Sequence, residues 1–406
     1  MLGRRSSVVG RRSVRLARGV VVKRTGLVAS LASACLLLSG CTVFDMVRLA
    51  SDDTAGRQND TAGSATARAY LIDQLRPIAR GLNPAGTGDA AYTQPFSGGR
   101  NVVALIPGTD LADEYVVVGA HYDGLGTSCN RSIPEDQICN GATDNATGVA
   151  AALAVARSVA DRRPRRSVVI ALWDREEDGL LGARHYVQTE PLVPLAKTVG
   201  YVNFDIQGAN LLPSLRNNTI AIAAESGGSR LTQIVSEAIG TSTLDTAMFS
   251  SIFGQNRSDY VPFLAASIPT VFFSDATGPC YHTVDDEITA VDFPKLDKQI
   301  AVALNVTRQL ANTSSPPAFV SGTPLATYDD LVEFWGLVER GWADRGRFSA
   351  ADQTTFSRIR DTARRLVAEG RAAFGSDDVG TLLGDASTVV SLLTRGTCEG
   401  FQEPTS

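Results

Sequence analysis

Basic side chains are scarce in this 406-residue sequence once its first 40 residues are set aside. Those residues hold eight of the 38 Lys and Arg side chains and no acidic one, so 30 basic side chains remain against 43 acidic ones. The remaining chain therefore carries a formal charge of about −13. Such an excess of acid repels phosphate backbones, which argues against a nucleic-acid partner.

The apolar stretch near the N terminus is too short for a typical membrane-spanning helix. It reads LVASLASACLLLSG and follows RRSSVVGRRSVRLARGVVVKR, which has no acidic residue. This order of a basic and then an apolar segment predicts a signal sequence. Two Arg-Arg pairs near the start suggest twin-arginine export, but their distance from the apolar segment favours a long basic leader.

The signal sequence ends in Leu38-Ser39-Gly40-Cys41, which resembles a bacterial lipobox. The resemblance implies a lipoprotein signal peptide over residues 1–40, lipidation of Cys41, and export to the cell envelope, in the periplasm or on the outer surface. The alternative is an ordinary secretory signal that ends near a cysteine. Residues 41–65 become small and polar, and we expect a flexible tether between membrane and domain.

Cysteine is limited to six residues, of which Cys35 lies in the predicted signal sequence and Cys41 at its end. An even number in an exported protein suggests two disulfides. Cys129 and Cys139 form the natural local pair, which leaves Cys280 with Cys398. Four cysteines allow three pairings, so the connectivity stays a hypothesis.

Helical and extended patterns alternate from Thr66 to residue 312. Short runs rich in β-branched residues predict strands, and segments with helical spacing lie between them. The predicted strands are RNVVALIP, EYVVVGAHYD, RRSVVIALWD, TVGYVNFDIQG and IPTVFFSD. Near-continuous apolar strands between helices indicate an α/β fold, a three-layer sandwich whose mostly parallel mixed central sheet is flanked by helices. Such a sheet brings active-site groups to the C-terminal ends of its strands.

The sequence changes character after residue 313. SSPPAFVSGTP is rich in Pro, Ser and Gly and predicts a linker over residues 314–325. Residues 326–406 show about three helical patterns and no strand signal; Ser349 and Asp352 form a capping box for the middle helix. We therefore predict a main domain over residues 66–313 and a C-terminal helical appendage.

Histidine is the rarest chemically useful residue, with only three in the sequence. His121 directly follows the strand YVVVGA, and His282 comes soon after the strand IPTVFFSD, so both are predicted at C-terminal strand ends. A single histidine in such a place is more often structural than a ligand. The third, His185, lies on a predicted helix, where we expect a structural or supporting role.

Acidic residues occupy the equivalent ends of other elements. They are Asp144 before a small-residue helix, Glu176 and Glu177 after the strand that ends near Trp173, and Asp205 at the end of YVNFD. Two imidazoles and several carboxylates at one sheet edge are the nitrogen and oxygen ligands that Zn²⁺ accepts.

Each acid also has a simpler explanation. Asp144 could cap the helix that follows it, and the Glu176–Glu177 pair could be a solvated loop with Arg175 and Asp178. Asp205 stands in an apolar run, where an unpaired buried carboxylate is costly and something positive should face it.

Six motifs together resemble the bi-zinc aminopeptidase and glutamate-carboxypeptidase family of co-catalytic metallopeptidases. In order they are AHYD, GATDNATGVAAAL, WDREEDGLLGARHYV, VNFDIQG, SDYVPF and CYHTVDDE, spread over roughly residues 66–312. Any one motif alone would be weak, but their joint order and spacing are highly specific. The resemblance implies that residues 66–313 are a zinc peptidase catalytic domain.

The resemblance also implies a role for each of these residues. Asp144 would bridge two zinc ions, with His121 and Asp205 on one ion and Glu177 and His282 on the other. Glu176 would be the general base, and the Asp144–Asn145 peptide bond would be cis.

Supporting residues can be suggested as well. Asp123 and Asp286 are candidates to hold their neighbouring histidines by hydrogen bonds, as metal-bound imidazoles usually require. Tyr260 stands where many relatives have histidine, and Arg175 replaces a small residue. Tyr260 could donate a hydrogen bond to a developing oxyanion or simply line the pocket.

These observations predict an exported, lipid-anchored zinc metallopeptidase, most specifically an aminopeptidase that acts on peptide substrates with two Zn²⁺ ions. The alternatives are a carboxypeptidase, a cyclising aminoacyltransferase of the glutaminyl-cyclase kind with a single zinc, and a non-enzymatic binding module. The complete set of expected ligands disfavours the binding module, because an intact site predicts function better than a fold does.

Overall fold

The computed structural model describes residues 38–130, 133 and 135–398. Within these residues nine strands form one sheet. The strands are β1 (Arg80–Gly81), β2 (Thr93–Phe96), β3 (Gly99–Ile106), β4 (Leu111–His121), β5 (Arg166–Trp173), β6 (Thr198–Phe204), β7 (Asn218–Ile222), β8 (Asp245–Phe249) and β9 (Thr270–Ser274). Their spatial order is β1-β3-β5-β4-β6-β9-β7-β8, with β2 paired to β3.

The middle of the sheet is parallel and contains β5, β4, β6 and β9. Antiparallel pairs join β3 to β5 on one side and β7 to β9 on the other. The residues of β5 are all buried, as expected for a strand covered on both faces. Because β5 and β6 lie on opposite sides of β4, the strand order reverses there, and such a reversal leaves a crevice at the C-terminal strand ends. The predicted α/β sandwich is confirmed.

Helices cover both faces of the sheet. They are α1 (Leu38–Leu49), α2 (Ala62–Leu75), α3 (Thr147–Ala160), α4 (Leu181–Arg184), α5 (Gly228–Ile239), α6 (Tyr260–Ala265), α7 (Phe293–Asn312), α8 (Tyr328–Gly341), α9 (Ala350–Glu369) and α10 (Ser376–Thr394). Helices α1, α2, α3, α5 and α7 bury apolar side chains in one core, and α6 with α8 to α10 does so in a second core on the other face. Among the described residues, no helix combines the length and the apolar character needed to cross a membrane.

The segment 41–65 is folded against the domain, so the prediction of a flexible tether is wrong. Met46 and Leu49 on α1 are fully buried in the first core. A 3-10 turn over Asp52–Arg57 follows, and Arg57 is fully buried. The small polar residues that suggested a tether lie in this turn and at the start of α2, where compact side chains allow close packing. Residues 1–37, with most of the predicted signal sequence, lie outside the described part of the chain.

The C-terminal helices share a core with the sheet and are not a detached appendage. Phe334 on α8, Phe356 on α9 and Leu382 on α10 belong to the same buried cluster as Trp173 of β5. The expectation of about three helices is met by α8 to α10, and the Ser349 hydroxyl accepts a hydrogen bond from the Asp352 N–H at 3.2 Å.

Both predicted disulfides are present, Cys129–Cys139 and Cys280–Cys398. The second bond spans 118 residues of sequence. It therefore fastens the end of the helical region to the loop that carries His282.

Candidate metal centre

The predicted ligands meet at the C-terminal edge of the parallel strands. His121 is the last residue of β4 and pairs in register with Trp173, the last residue of β5. Asp205 follows the end of β6, whose Phe204 pairs with Phe273 of β9. Adjacent parallel strands that stop at the same level thus place the residues that follow them side by side.

A turn after β5 explains the neighbouring glutamates. The strand ends at Trp173, and Arg175 has a left-handed backbone with φ of 61°. The backbone N–H groups of Glu176 and Glu177 then both donate to the carboxylate of Asp123, at 3.1 and 3.3 Å. One carboxylate therefore fixes the backbone of both glutamates beside the end of β4.

Two groups of possible metal ligands share Asp144. The first group is His121, Asp144 and Asp205; the second is Asp144, Glu177 and His282. The Nε2 of His121 lies 3.2 Å from Asp144 Oδ1, and the Nε2 of His282 lies 3.2 Å from Asp144 Oδ2. Each oxygen of Asp144 thus faces a different histidine, the arrangement expected of a bridging carboxylate.

The remaining ligand atoms lie at similar distances. Asp205 Oδ1 is 3.5 Å from His121 Nε2, and Glu177 Oε2 is 3.1 Å from His282 Nε2. Glu176 lies farther away, with its Oε2 4.0 Å from His121 Nε2. A third possible group combines His121 with both glutamates, so Glu176 stands at the border of the centre.

The loop that carries Asp144 is held by Asp286. The Thr143 N–H and hydroxyl donate to Asp286 Oδ1 at 2.9 and 2.7 Å, and the Asp144 N–H donates to Oδ2 at 3.0 Å. Asp286 was expected to orient His282, and that prediction is wrong, because its oxygens receive donors of the 143–144 loop. The Asp144–Asn145 peptide bond is cis, as the resemblance implied.

Asp144 does not cap α3. The helix starts after Ala146, and no side chain accepts a capping hydrogen bond there. Asp123, by contrast, lies beside its histidine as expected, with its Oδ1 3.4 Å from His121 Nδ1. The backbone carbonyl oxygen of Asp123 lies 3.3 Å from the same nitrogen. Since Nδ1 faces these oxygens, Nε2 is the ring atom turned to the centre.

Several ligand atoms have no hydrogen-bond partner although they are buried. They are His121 Nε2, His282 Nε2 and Asp205 Oδ1. A buried polar atom without a partner costs free energy, which a bound cation would recover. The donor set of two imidazoles and three carboxylates therefore fits zinc.

The centre attracts positive charge. Burial lowers the pKa of His282, but the carboxylates of Asp144 and Glu177 beside it outweigh burial and raise the pKa to about 10. Burial raises the pKa of Glu177 to about 7, and the nearby Asp144 charge adds to this. Burial also raises the pKa of Glu176 well above its usual value, with a further contribution from Asp205. All of these directions follow from crowding carboxylates in a site with little water.

Tyr260 does not reach the centre. Its hydroxyl accepts from the Asn256 N–H at 3.1 Å and lies 3.2 Å from the Ser251 carbonyl oxygen, to which it donates. The expectation of an oxyanion or substrate contact is therefore wrong, because the phenol holds the 251–256 loop. His185 also lies away from the centre, near Glu190 on the surface.

Two residues at the site were not singled out from the sequence. Asp259 is fully buried, and both its carboxylate oxygens lack partners; burial and the charges of Asp205 and Asp123 raise its pKa well above the usual value. Tyr281 stacks on His282 with ring centroids 3.7 Å apart. Both lie next to residues that were singled out, and adjacency in the motifs SDYVPF and CYHTVDDE was the available signal.

A cleft of about 70 Å³ opens beside the centre. Asp144, Glu176, Asp205 and Tyr281 line it together with apolar side chains of β7, β9 and the 251–257 loop. Arg257 is the cationic residue in its lining. A substrate group in this cleft would meet both the acidic residues of the centre, Glu176 among them, and apolar side chains.

Comparisons with known sequences find relatives of this chain. The model of "Peptidase family M28" matches residues 101–307. Leupeptin-inactivating enzyme 1 of Streptomyces exfoliatus is 27% identical over 296 residues, which cover 64% of this chain and 60% of that protein. The probable lipoprotein aminopeptidase LpqL of Mycobacterium tuberculosis is 31% identical over 193 residues, 44% of this chain and 35% of that protein. The chain thus spans less than two thirds of the length of these relatives.

Solved structures share the fold. The LapA aminopeptidase of Legionella pneumophila superposes with a TM-score of 0.55 at 18% sequence identity, over 77% of this chain and 81% of that one. At this identity the likeness concerns the fold alone.

Proposed function

Since the chain belongs to peptidase family M28, we propose that it is a zinc metallopeptidase, specifically an exported aminopeptidase with two zinc ions and Glu176 as general base. The observation that carries the proposal is the pair of ligand groups that share Asp144, with Glu176 at their border. The activity, the substrates and the export all belong to the proposal.

One ion would be held by His121 and Asp205 and the other by Glu177 and His282, with Asp144 between them. Two such ions lower the pKa of a shared water and stabilise negative charge on the scissile carbonyl oxygen. The chain's own residues prepare the site for this. Asp123 orients His121 and the two glutamates, and Asp286 fixes the loop of Asp144.

Glu176 would take the proton of the attacking water and pass it to the leaving amine. Its carboxylate is only 10% exposed and stands close to the ligands without being the nearest partner of either histidine. Its place at the border of the centre suits a group that must accept a proton from water and release it to the amine.

The expected result for Glu176→Gln is loss of turnover with retention of metal. The amide preserves the shape of the side chain but cannot carry the proton, so kcat should fall by about 10²–10⁴. Zinc content by elemental analysis should stay at two ions per chain, and Leu-arylamide hydrolysis gives kcat.

Glu177→Gln, the same change in the neighbouring residue, is the matched control. It should lose zinc, because an amide is a weaker zinc ligand than a carboxylate. Near-normal activity of Glu176→Gln would contradict its assignment as the base. Retention of full zinc and activity in Glu177→Gln would contradict the ligand assignment.

Carboxypeptidase activity is favoured by one observation, Arg257 in the cleft lining. Its guanidinium could pair with the terminal carboxylate of a peptide, although it also lies 5.6 Å from the Tyr281 ring centroid. Peptides blocked at the N terminus resist an aminopeptidase, and peptides amidated at the C terminus resist a carboxypeptidase.

One bound zinc and formation of pyroglutamate would instead favour the cyclising aminoacyltransferase.

Lipid anchoring rests on the lipobox-like Leu38–Cys41 and on the name of the mycobacterial relative. Cys41 is only 7% exposed in the full-length chain. Cleavage before it would remove the first three residues of α1. The mass of the mature N-terminal peptide tests this directly.

A further inference from the structure

A second, apolar cavity lies between the sheet and the C-terminal helices. It measures about 130 Å³. Its walls include Ile220 and Phe253 from the catalytic part and Phe334, Leu337 and Val390 from the helical region. A cavity of about 150 Å³ with a similar lining can hold a benzene molecule, so this one suits a single large apolar group.

Polar groups at the margin of the cavity have partners elsewhere. Asp275 lies 3.0 Å from Lys295 Nζ and accepts from the Gln299 amide at 2.9 Å. Thr219 donates to the Ser274 carbonyl oxygen at 3.0 Å. Apart from the Gln255 amide, the groups left to contact an occupant are therefore mainly hydrocarbon.

This cavity continues the cleft beside the metal centre. Five residues line both spaces: Ile220, Phe253, Gln255, Ala276 and Val390. Four of them belong to the part of the chain that matches the family, whereas Val390 lies on α10, outside the matched residues 101–307. The helical region thus contributes a side chain to the wall of the cleft that contains Glu176 and Asp144.

Two features fix α10 relative to the centre. Leu392 and Leu393, two and three residues after Val390, are buried. The disulfide Cys280–Cys398 then joins the chain four residues beyond α10 to the loop of Tyr281 and His282. The buried leucines and the disulfide therefore hold the end of α10, and Val390 with it, in a fixed position beside the cleft.

We infer that the cleft and the apolar cavity together bind the side chain of the substrate's N-terminal residue, and that Val390 sets the size of the group that passes between them. This inference rests on the proposed aminopeptidase function. The favoured substrates are peptides with a long or aromatic apolar first residue. Val390 is a specificity-determining residue, supplied by a helical region that lies beyond residues 101–307, the part matched by the family model.

The test compares kcat/KM for Ala-, Leu- and Phe-arylamides in variants of the zinc-loaded full chain. Val390→Trp fills the passage, so the Phe-to-Ala ratio of kcat/KM should fall about tenfold or more, mainly through KM. Val390→Ala widens the passage. It should raise the kcat/KM for a biphenylalanyl-arylamide relative to the kcat/KM for the Leu-arylamide. Ser387→Trp is the control, because Ser387 is exposed on the same helix; its ratios should stay within twofold of wild type.

The outcomes separate the two proposals. If both Val390 variants change all substrates by the same factor, the pocket inference is wrong while aminopeptidase activity stands. If the wild-type enzyme cleaves none of the arylamides, the aminopeptidase proposal fails and the inference fails with it. Should Val390→Trp unfold, as a lowered Tm would reveal, Val390→Ala alone decides by its selectivity.

Discussion

At the scale of single residues, Arg57 connects the N-terminal segment to the metal centre. Its guanidinium donates to the carbonyl oxygens of Leu49, Tyr122, Asn140 and Gly141 at 2.6 to 3.0 Å. Tyr122 follows the ligand His121, and Gly141 begins the loop of Asp144. The side chain is fully buried. Its positive charge interacts with several surrounding acids together and not with a single ion-pair partner.

Replacing Arg57 with Met should remove these hydrogen bonds and leave buried carbonyl groups without donors. We expect the free energy of unfolding to fall by about 3 kcal/mol or more, and kcat/KM to fall because the loops of His121 and Asp144 lose their common support. Urea unfolding and Leu-arylamide hydrolysis measure both.

Arg365→Met is the matched control. Arg365 is largely exposed and pairs with Glu369 one helical turn away at 2.6 Å, a kind of pair worth about 0.5 kcal/mol. Equal losses of stability in the two variants would contradict the role given to Arg57.

At the scale of elements, the turns after the strands carry backbone strain. Arg175, Ile206 and His282 all have left-handed φ, at 61°, 58° and 57°. Non-glycine residues in this region cost about 1–3 kcal/mol each and persist only where the surroundings fix them. Each stands beside a site acid or is itself a proposed ligand, so the strain is concentrated where the chain must turn sharply to aim a side chain.

Helix α8 is joined to the sheet by one carboxylate. Asp330 accepts from the N–H and hydroxyl of Ser250, just after β8, at 2.6 and 2.8 Å. It also accepts from the N–H and hydroxyl of Thr327, which precedes α8. A single buried side chain thus completes the helix start and fastens the helical region to the loop that carries Phe253.

Asp330→Ala should therefore lower the free energy of unfolding by about 2 kcal/mol or more, since it removes a cap and leaves buried donors unpaired. Thermal unfolding of the variant and the wild type, compared side by side, measures the loss of stability. Asp329→Ala is the neighbouring control, because Asp329 is exposed and pairs with Arg371 at the surface. A loss in Asp329→Ala as large as in Asp330→Ala would argue against this connection.

At the scale of the whole molecule, the centre concentrates negative charge where the fold is otherwise apolar. Asp205 and Asp259 are nearly or fully buried, and burial together with neighbouring negative charge raises the pKa of both and so disfavours their charged forms. A bound cation would offset the cost of burying these carboxylates in the native state, and it would not bind the unfolded chain in the same way, so it should stabilise the fold.

Removal of zinc should consequently destabilise the entire domain. Chelation is expected to lower Tm by about 5 °C or more, and added zinc should restore both Tm and activity. The Glu176→Gln variant serves as control, because it should show the same zinc-dependent Tm without turnover. An unchanged Tm after elemental analysis has confirmed metal loss would contradict this account.

The sequence by itself determined the α/β sandwich, its main strands and the motif set that places the chain in its family, and it indicated the two disulfides as one of three possible pairings. These features are local or depend on order along the chain: apolar periodicity, cysteine count and spacing. It missed the short strands β7 and β8, with the sequences NTIAI and DTAMF, which are stable as strands because β7 pairs with β9 and β8 pairs with β7.

The tertiary structure decided what depends on contacts between distant segments. It packed residues 41–65 against the core through Arg57 and turned Tyr260 toward the 251–256 loop. It also let Asp286 accept hydrogen bonds from the loop of Asp144, where the sequence had suggested a contact with His282. It also placed Val390 in the wall of the cleft. Periodicity reports which face of an element is buried, but which distant backbone a polar side chain meets is set only when the elements assemble.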